Sequence, residues 1–131
     1  MIVSTTLTVP AATSEDAPLR LALAVPGGTI RRWWVGWRYG IADLVGMRVL
    51  YHEAQLLPWS IGEYLPGYVG VTEFPSEVDV SMAPRVLTLE AYNLDDLYPH
   101  TLWLACEVSR ENVWAELFKV IVEALRWSQY G

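Results

Sequence analysis

Apolar and polar residues alternate along most of the first 109 positions. A period of two predicts β-strands, because successive side chains of a strand point to opposite faces. The alternating runs are residues 2–9, 19–25, 30–39, 47–53, 68–73, 78–82 and the two halves of 85–109. Prolines and glycines separate these runs, as expected at turns. The pattern predicts about eight short strands in a mainly β fold, an antiparallel β-sandwich of jelly-roll-like type.

Residues 85–109 contain two alternating runs joined by a polar turn with a proline. Leu87 and Leu89 share one face of the first run. The apolar residues that share one face of the second run are Leu102, Leu104, Cys106 and Val108. This arrangement predicts a long hairpin in which the two strands pair with each other and the other strands pack against the pair.

The first strand is followed by a small, polar segment between Pro10 and Pro18. Such a composition predicts a linker with little packing of its own. Residues 1–18 are therefore interpreted as an N-terminal strand and arm. The strand can pair within its own sheet, or it can be exchanged with a neighbouring copy in an oligomer.

The pattern changes after residue 109, and residues 110–131 are predicted to form an amphipathic helix. Its charged positions between Val113 and Trp127 follow a spacing of three, four and three, and they are Glu116, Lys119, Glu123 and Arg126. They form one stripe, whereas a helix on a sheet needs an apolar arc of only about 100°. The remaining surface is apolar and includes Trp114, Leu117, Phe118, Ile121, Leu125 and Trp127.

This excess of apolar surface has two interpretations. The helix can lie between loops and sheet of its own chain, or those six side chains can form an interface with another copy or another protein. A membrane surface usually requires a polar face rich in lysine and arginine, which this balanced stripe is not. We predict the interface, with a β-sandwich domain at 1–109 and a separate helix at 110–131.

Composition narrows the class of protein. A length of 131 residues suits one compact domain, and a net charge of −6 argues against a nucleic-acid partner. Cys106 is the single cysteine, so no intramolecular disulfide is expected. We find no pattern of a signal peptide and no apolar run of about 20 residues, and we expect no membrane partner.

Aromatic residues supply candidates for ligand stacking. Trp34 is predicted on the outer face of its strand between Arg32 and Arg38, where it can stack on a base or a sugar, or be covered by the arginine stems. The full set of possible stacking residues is Trp34, Trp59, Tyr64 and Tyr68.

Catalytic and metal sites are harder to find in this sequence. His52 lies next to Glu53, without a nucleophile or a metal ligand at an informative spacing. A turn supplies oxygen and nitrogen ligands for an ion from Asn93, Asp95, Asp96 and His100. These are also ordinary turn residues, and the order of an EF-hand is absent. We expect no catalytic residues, no metal and no cofactor.

Several short motifs occur between Gly40 and His100, and their residues are Gly40, Leu44, Val45, Gly46, Arg48, Gln55, Pro58, Gly62, Glu63, Pro84, Asn93, Asp95, Asp96, Tyr98, Pro99 and His100. In this order they resemble small β-sandwich structural proteins of tailed phages and related viruses. They cover about half of the chain, and the C-terminal helix lies outside the pattern.

The resemblance implies a non-enzymatic virion component of the capsid-decoration, head–tail accessory or fibre-base type. Such a protein would be made in the host cytoplasm, and it would act in the virion as a cyclic homo-oligomer that docks on other virion proteins. The alternative is a glycan-binding β-sandwich module that uses exposed tryptophan and tyrosine side chains.

Overall fold

The computed structural model describes residues 1–38, 43–67, 70–110 and 113–130, without the side chains of 113–116 and 130. It confirms a mainly β fold of two antiparallel sheets with a C-terminal helix. The first sheet has the order β1 (Ile2–Val9), β9 (His100–Ser109), β3 (Thr29–Trp37) and β7 (Gly70–Asp79). The second has the order β2 (Leu19–Ala24), β8 (Val86–Asn93), β4 (Val45–Tyr51) and β5 (Ala54–Leu57), and β6 (Leu65–Pro66) also pairs with β4. The helix is α1 (Val113–Tyr130).

The described residues contain nine strands, where about eight were predicted. β5 and β6 pair with different halves of the same edge of β4, so together they occupy one strand position. A turn at residues 58–64 interrupts that position. Apart from β4, β5 and β6, successive strands alternate between the two sheets, which is the arrangement of a jelly roll.

The predicted hairpin at residues 85–109 is wrong. β8 lies between β2 and β4 in the second sheet, whereas β9 lies between β1 and β3 in the first. Alternation decides which face of a strand is buried but does not choose its neighbour, so both strands still point their leucines into the core. The connecting turn crosses from one sheet to the other, and the buried Asn93 amide ties it by donating to the carbonyls of Val9 and Tyr98 at 3.2 and 2.9 Å.

Two separate strands at 68–73 and 78–82 were also a wrong prediction. One strand, β7, runs from Gly70 to Asp79 at the edge of the first sheet. Pro75 lies inside it, and an edge strand tolerates proline because one side of its backbone has no sheet partner. The sequence suggested two strands because Pro75 resembles a turn signal.

The segment after β1 is tied to the turn after β8 at its start, which the prediction of a loose linker missed, whereas residues 14–17 are exposed in agreement with little packing. Thr13 pairs with Asn93 through two backbone hydrogen bonds, and the Ala12 amide donates to the carbonyl of Asp95 at 2.8 Å. β1 itself pairs with β9 of the same chain along its whole length. The N-terminal strand is therefore fixed both by its pairing with β9 and by the hydrogen bonds of the residues that follow it.

The core lies between the two sheets and consists of the inward faces of the strands. Trp33, Val35 and Trp37 of β3 are buried, on the face opposite to the one predicted to be the outer face at Trp34. Cys106 of β9 is also buried as a free thiol, and burial raises its pKa to about 11. The sandwich thus buries the large apolar residues on the inward faces of its strands, whereas those of α1 stay exposed.

Candidate interaction surface

α1 exposes a continuous set of large apolar side chains. The exposed fractions are 47% for Leu117, 66% for Phe118, 49% for Ile121, 60% for Leu125 and 80% for Trp127. Between residues 117 and 129 every side chain is exposed except that of Val122, which is half-buried. Trp114, the sixth predicted interface residue, is among those whose side chains the structure does not describe. The alternative of a helix wedged into its own chain therefore does not hold for residues 117–129.

The exposed apolar surface extends around most of the helix. Each residue of an α-helix advances by about 100°, which places the four charged positions within an arc of roughly 80°. From Trp127 past Ile121 to Val122, apolar positions predominate over roughly 220° of the remainder. A helix of 18 residues is about 27 Å long. The result is a long rod that can be covered from more than one side, which we call the apolar rod of α1.

Burial of this surface would be strongly favourable. Phe118 and Trp127 are 66% and 80% exposed, and covering each would contribute about 1 to 2 kcal/mol. Leu117, Ile121 and Leu125 would add about 1 kcal/mol each. Association has to overcome a loss of translational and rotational freedom that costs about 4 to 15 kcal/mol, and the summed contributions of these five side chains are of comparable size.

A second apolar projection lies on the turn at residues 58–64. Trp59 and Ile61 are 75% and 88% exposed at its tip. The side chain of Gln55 holds the turn: its amide nitrogen lies within 2.9 to 3.1 Å of the carbonyls of Pro58, Ser60 and Glu63, and its oxygen accepts from the Gly62 amide. Trp59 was a predicted site residue, whereas Gln55 was noticed only as part of a motif.

Tyr64 covers a charged row on the outer face of the second sheet. Glu90, 5% exposed, lies 3.0 Å from Arg48 and 3.7 Å from Arg20. The Arg48 guanidinium lies 4.5 Å from the centre of the Tyr64 ring, and Tyr92 meets that ring edge-on. Burial raises the pKa of Tyr64. The sequence did not predict this row, because the three charges come from three different strands.

Trp34 lies half-buried on the outer face of the first sheet. Beside it Arg32 forms ion pairs with Glu73 and Glu107 across both neighbouring strands. The predicted stacking residues thus occupy separate places: Trp34 on the first sheet, Trp59 on a turn and Tyr64 against the second sheet. Tyr68 lies outside the described residues. The three described side chains do not form one aromatic platform.

A cavity of about 330 Å³ opens on the outer face of the first sheet next to Trp103. Its other lining residues come from β1, β3, β7 and β9 and include Thr6, Gly36, Val71 and Thr101. A side chain at Gly36 would meet the Gly70 carbonyl at 2.8 Å, so only glycine keeps β7 this close. No sequence pattern indicated this cavity, because its walls come from four strands.

In the turn at residues 93–100, Asp95 bonds to His100 and to the backbone of the turn. Asp95 accepts hydrogen bonds from the amides of Leu97 and Tyr98, and its second oxygen lies 2.9 Å from the ring of His100. These contacts, the Leu97 amide first, lower the pKa of Asp95. Among the residues that the structure describes, no three His, Cys, Asp or Glu side chains come together as a metal site.

His52 and Glu53 form the two-residue turn between β4 and β5. Both have positive φ angles, 49° and 65°, as a tight hairpin turn requires. The Nε2 atom of the exposed His52 ring lies 3.2 and 3.1 Å from the carbonyl oxygens of Met82 and Pro84. This histidine therefore links the turn between β4 and β5 to the segment before β8.

Comparisons with known proteins do not assign the chain to a family. No protein-family model matches the chain, and no curated protein matches it significantly. The resemblance to phage structural proteins therefore stays a prediction. Within the described part of the chain, no helix is both long and apolar enough to span a bilayer.

Proposed function

We propose that this protein is a non-enzymatic structural protein that self-associates through the apolar rod of α1. The observation that supports this most directly is the exposure of Phe118, Leu125 and Trp127 on a helix that its own sandwich does not cover. A single chain leaves this surface in water, where it is unfavourable. Other copies of the chain are the most readily available partners that could bury it.

The charges of α1 favour further copies over a membrane. The stripe holds two acids and two bases, so neighbouring helices do not repel each other through net charge. An interfacial membrane helix would carry mainly lysine and arginine on that face to meet anionic lipids.

We further propose that the assembly is part of a virion, as a capsid-decoration, head–tail accessory or fibre-base protein that docks on other virion proteins and is made in the host cytoplasm. The sequence motifs around Gly46, Gln55 and Asn93 support this proposal. So does the jelly-roll arrangement, because that fold is widely used by capsid proteins. The same fold also occurs in lectins, so the fold alone does not decide the function.

The native mass of the purified protein tests self-association. We expect light scattering to give a multiple of the 14.8 kDa chain mass. The double variant Phe118→Ser with Leu125→Ser should return the mass to that of one chain. Ile61→Ser is the control, because it removes an even more exposed apolar side chain outside α1 and should leave the mass unchanged.

A monomeric wild-type protein at high concentration, with α1 still helical by circular dichroism, would refute the proposal. A double variant that keeps the wild-type mass would also refute it, since another surface would then hold the assembly. Circular dichroism of the β-sheet region verifies that each variant has kept its sandwich.

A glycan-binding module is the second candidate function. The observation in its favour is the cavity beside Trp103, which is mostly apolar and is lined by that indole together with Thr6 and Thr101. Small-molecule sites are mostly apolar openings, and an indole can stack on the ring of a sugar. We expect saccharide-dependent quenching of tryptophan fluorescence that is lost in Trp103→Ala if this function holds, and a flat titration across a glycan panel if it does not.

A further inference from the structure

A cavity of about 510 Å³ opens at one end of the sandwich, where strands of both sheets begin or end. It lies between the turn that joins β2 to β3, the end of β7, the residue before β8 and the residue after β9. Its lining includes Gly27, Gly28, Asp79, Ser81, Arg85 and Arg110. Two guanidinium groups therefore face one carboxylate, so the lining is basic although the whole chain has a net charge of −6.

The two arginines of this cavity differ from those of the strands. Each strand arginine in the described ranges forms an ion pair with a glutamate, and these residues are Arg20, Arg31, Arg32 and Arg48. Neither Arg85 nor Arg110 forms an ion pair with a carboxylate in the part of the chain that the structure describes. In an acidic protein, guanidinium groups without such a partner are available to an anion from solution.

The guanidinium of Arg85 is held in place by two neighbouring segments. Its Nε atom donates to the Ser81 carbonyl at 2.9 Å. It also lies against Gly27, where an added Cβ would be only 3.0 Å from Nε and 3.3 Å from Cζ. The bond to Ser81 uses one of the five N–H donors of a guanidinium. The four donors on the two terminal nitrogens remain for an anion, and their direction is set in advance.

A second glycine brings Arg110 to the same cavity. Gly28 has a φ of 152°, and an added Cβ there would lie 2.5 Å from the carbonyl oxygen of Ser109. Only glycine therefore allows the turn before β3 to lie this close to the end of β9. The residue that follows Ser109 is Arg110, so this close approach places its side chain beside the turn that contacts Arg85.

The single acid of the lining, Asp79, supports the position of Arg85. Its carboxylate accepts a hydrogen bond from the Ser81 amide at 2.8 Å, and its hydrogen bonds with Ser81 lower the pKa of Asp79. The same Ser81 residue offers its carbonyl to Arg85. Asp79 thus fixes the segment that orients one guanidinium, and its own negative charge is outnumbered by the two arginines.

We propose that this cavity binds a tetrahedral oxyanion, namely a phosphate group that is either free or carried by a small organic molecule. Guanidinium groups bind phosphate through two parallel N–H···O bonds. A phosphate presents pairs of oxygens in more than one plane, so Arg85 and Arg110 can each bind it from a different segment, whereas a carboxylate has only one such plane. A cavity of this volume also has room for the remainder of a small molecule. The site is separate from the apolar rod of α1 and does not depend on self-association.

Isothermal titration calorimetry of the full chain with sodium phosphate tests the site. We expect saturable binding at neutral pH, and weaker binding of acetate. Arg85→Gln and Arg110→Gln should each raise the Kd for phosphate about tenfold or more, because each removes hydrogen bonds to a charged group. Arg38→Gln is the matched control: it removes the same charge from an exposed arginine at the opposite end of β3, and it should change the Kd by less than about twofold.

Two further variants separate an oriented site from general attraction by positive charge. Arg85→Lys keeps the charge but removes the planar group and its bond to Ser81. Gly27→Ala keeps both arginines, but its methyl group displaces the Arg85 guanidinium. We expect each variant to raise the Kd about threefold or more. Circular dichroism verifies that each variant has kept its sandwich.

The absence of saturable binding up to roughly 20 mM phosphate would overturn the site. An unchanged Kd in Arg85→Gln or in Arg85→Lys would also overturn it, and so would binding of acetate as tight as that of phosphate. Phenyl phosphate distinguishes the two sources of the group. Tighter binding of phenyl phosphate than of inorganic phosphate supports a ligand that carries the phosphate on an organic molecule, whereas the reverse order supports free phosphate.

Discussion

The sandwich and α1 contain similar apolar residues, but the strands bury these side chains on their inward faces and the helix exposes them to solvent. Trp33 of β3 is 1% exposed, and Trp127 of α1 is 80% exposed. In the sandwich each strand needs to hide one face only, and a facing sheet is available. The helix carries apolar residues around roughly 220°, which no single sheet can cover. The contrast indicates that the sandwich is complete by itself, and it leads us to propose that the helix is complete only in an assembly.

The most direct test of this difference is to remove one tryptophan from each region. We expect Trp33→Ala to lower the free energy of unfolding by about 3 to 5 kcal/mol, because it leaves a cavity in the core. Trp127→Ala should change it by less than about 0.5 kcal/mol in dilute monomer, since that side chain is already in water. Urea unfolding followed by circular dichroism measures both. Equal losses would show that α1 packs on the sandwich.

Asn93→Ala tests the crossing between the two sheets. The Asn93 side chain makes three hydrogen bonds, and without it the buried Val9 carbonyl loses its bond to that side chain. We expect a loss of about 2 to 3 kcal/mol in urea unfolding. Asp96→Ala, an exposed position in the same turn, is the control and should be nearly neutral. Similar values for the two variants would mean that the crossing does not depend on Asn93.

Gln55→Ala tests whether the turn at residues 58–64 is stabilised by the hydrogen bonds of Gln55 and not by its exposed apolar side chains. Loss of the hydrogen bonds of Gln55 should reduce the free energy of unfolding by about 1 to 2 kcal/mol and speed hydrogen exchange at the Gly62 amide. Trp59→Ala should leave both nearly unchanged, because the indole is exposed. If Trp59→Ala proves as costly as Gln55→Ala, the indole must be packed in solution.

Acid should produce the smallest effect, through Asp95. Its pKa is lowered in the folded protein by the Leu97 amide and by His100, so the carboxylate is favoured by folding. The stabilisation is therefore present above the ordinary value of 3.8 and is lost as the pH falls through the lower folded value. Urea midpoints between about pH 5 and pH 2 should fall less steeply for Asp95→Ala than for wild type. Asp96→Ala should follow the wild-type slope.

Much of the sandwich was predictable because burial of one strand face is a local property. The alternation around Trp33, Leu89 and Leu104 identified both the strands and their inward side chains. Partner choice was not predictable, since β8 and β9 look like a hairpin but belong to different sheets. The edge strand β7 was predicted as two strands, because the sequence does not show that Pro75 lies at the edge of a sheet, where a proline is tolerated.

Some features of the candidate interaction surface could likewise be predicted from the sequence, and others could not. The arc of apolar positions in α1 and its charged stripe follow from residue order alone, and the structure added that Phe118 and Trp127 remain uncovered. The row of Arg20, Glu90 and Arg48 and the cavity beside Trp103 could not be predicted, because their members come from separate strands.

Residue order was sufficient to specify which residues avoid water, with what period, and where the period changes from strand to helix, because these are properties of neighbouring positions. The folded chain was needed to establish which strands pair, that Asn93 joins the two sheets, and that the sandwich leaves α1 without cover. Those outcomes depend on contacts between residues far apart in the chain, which a local pattern cannot specify.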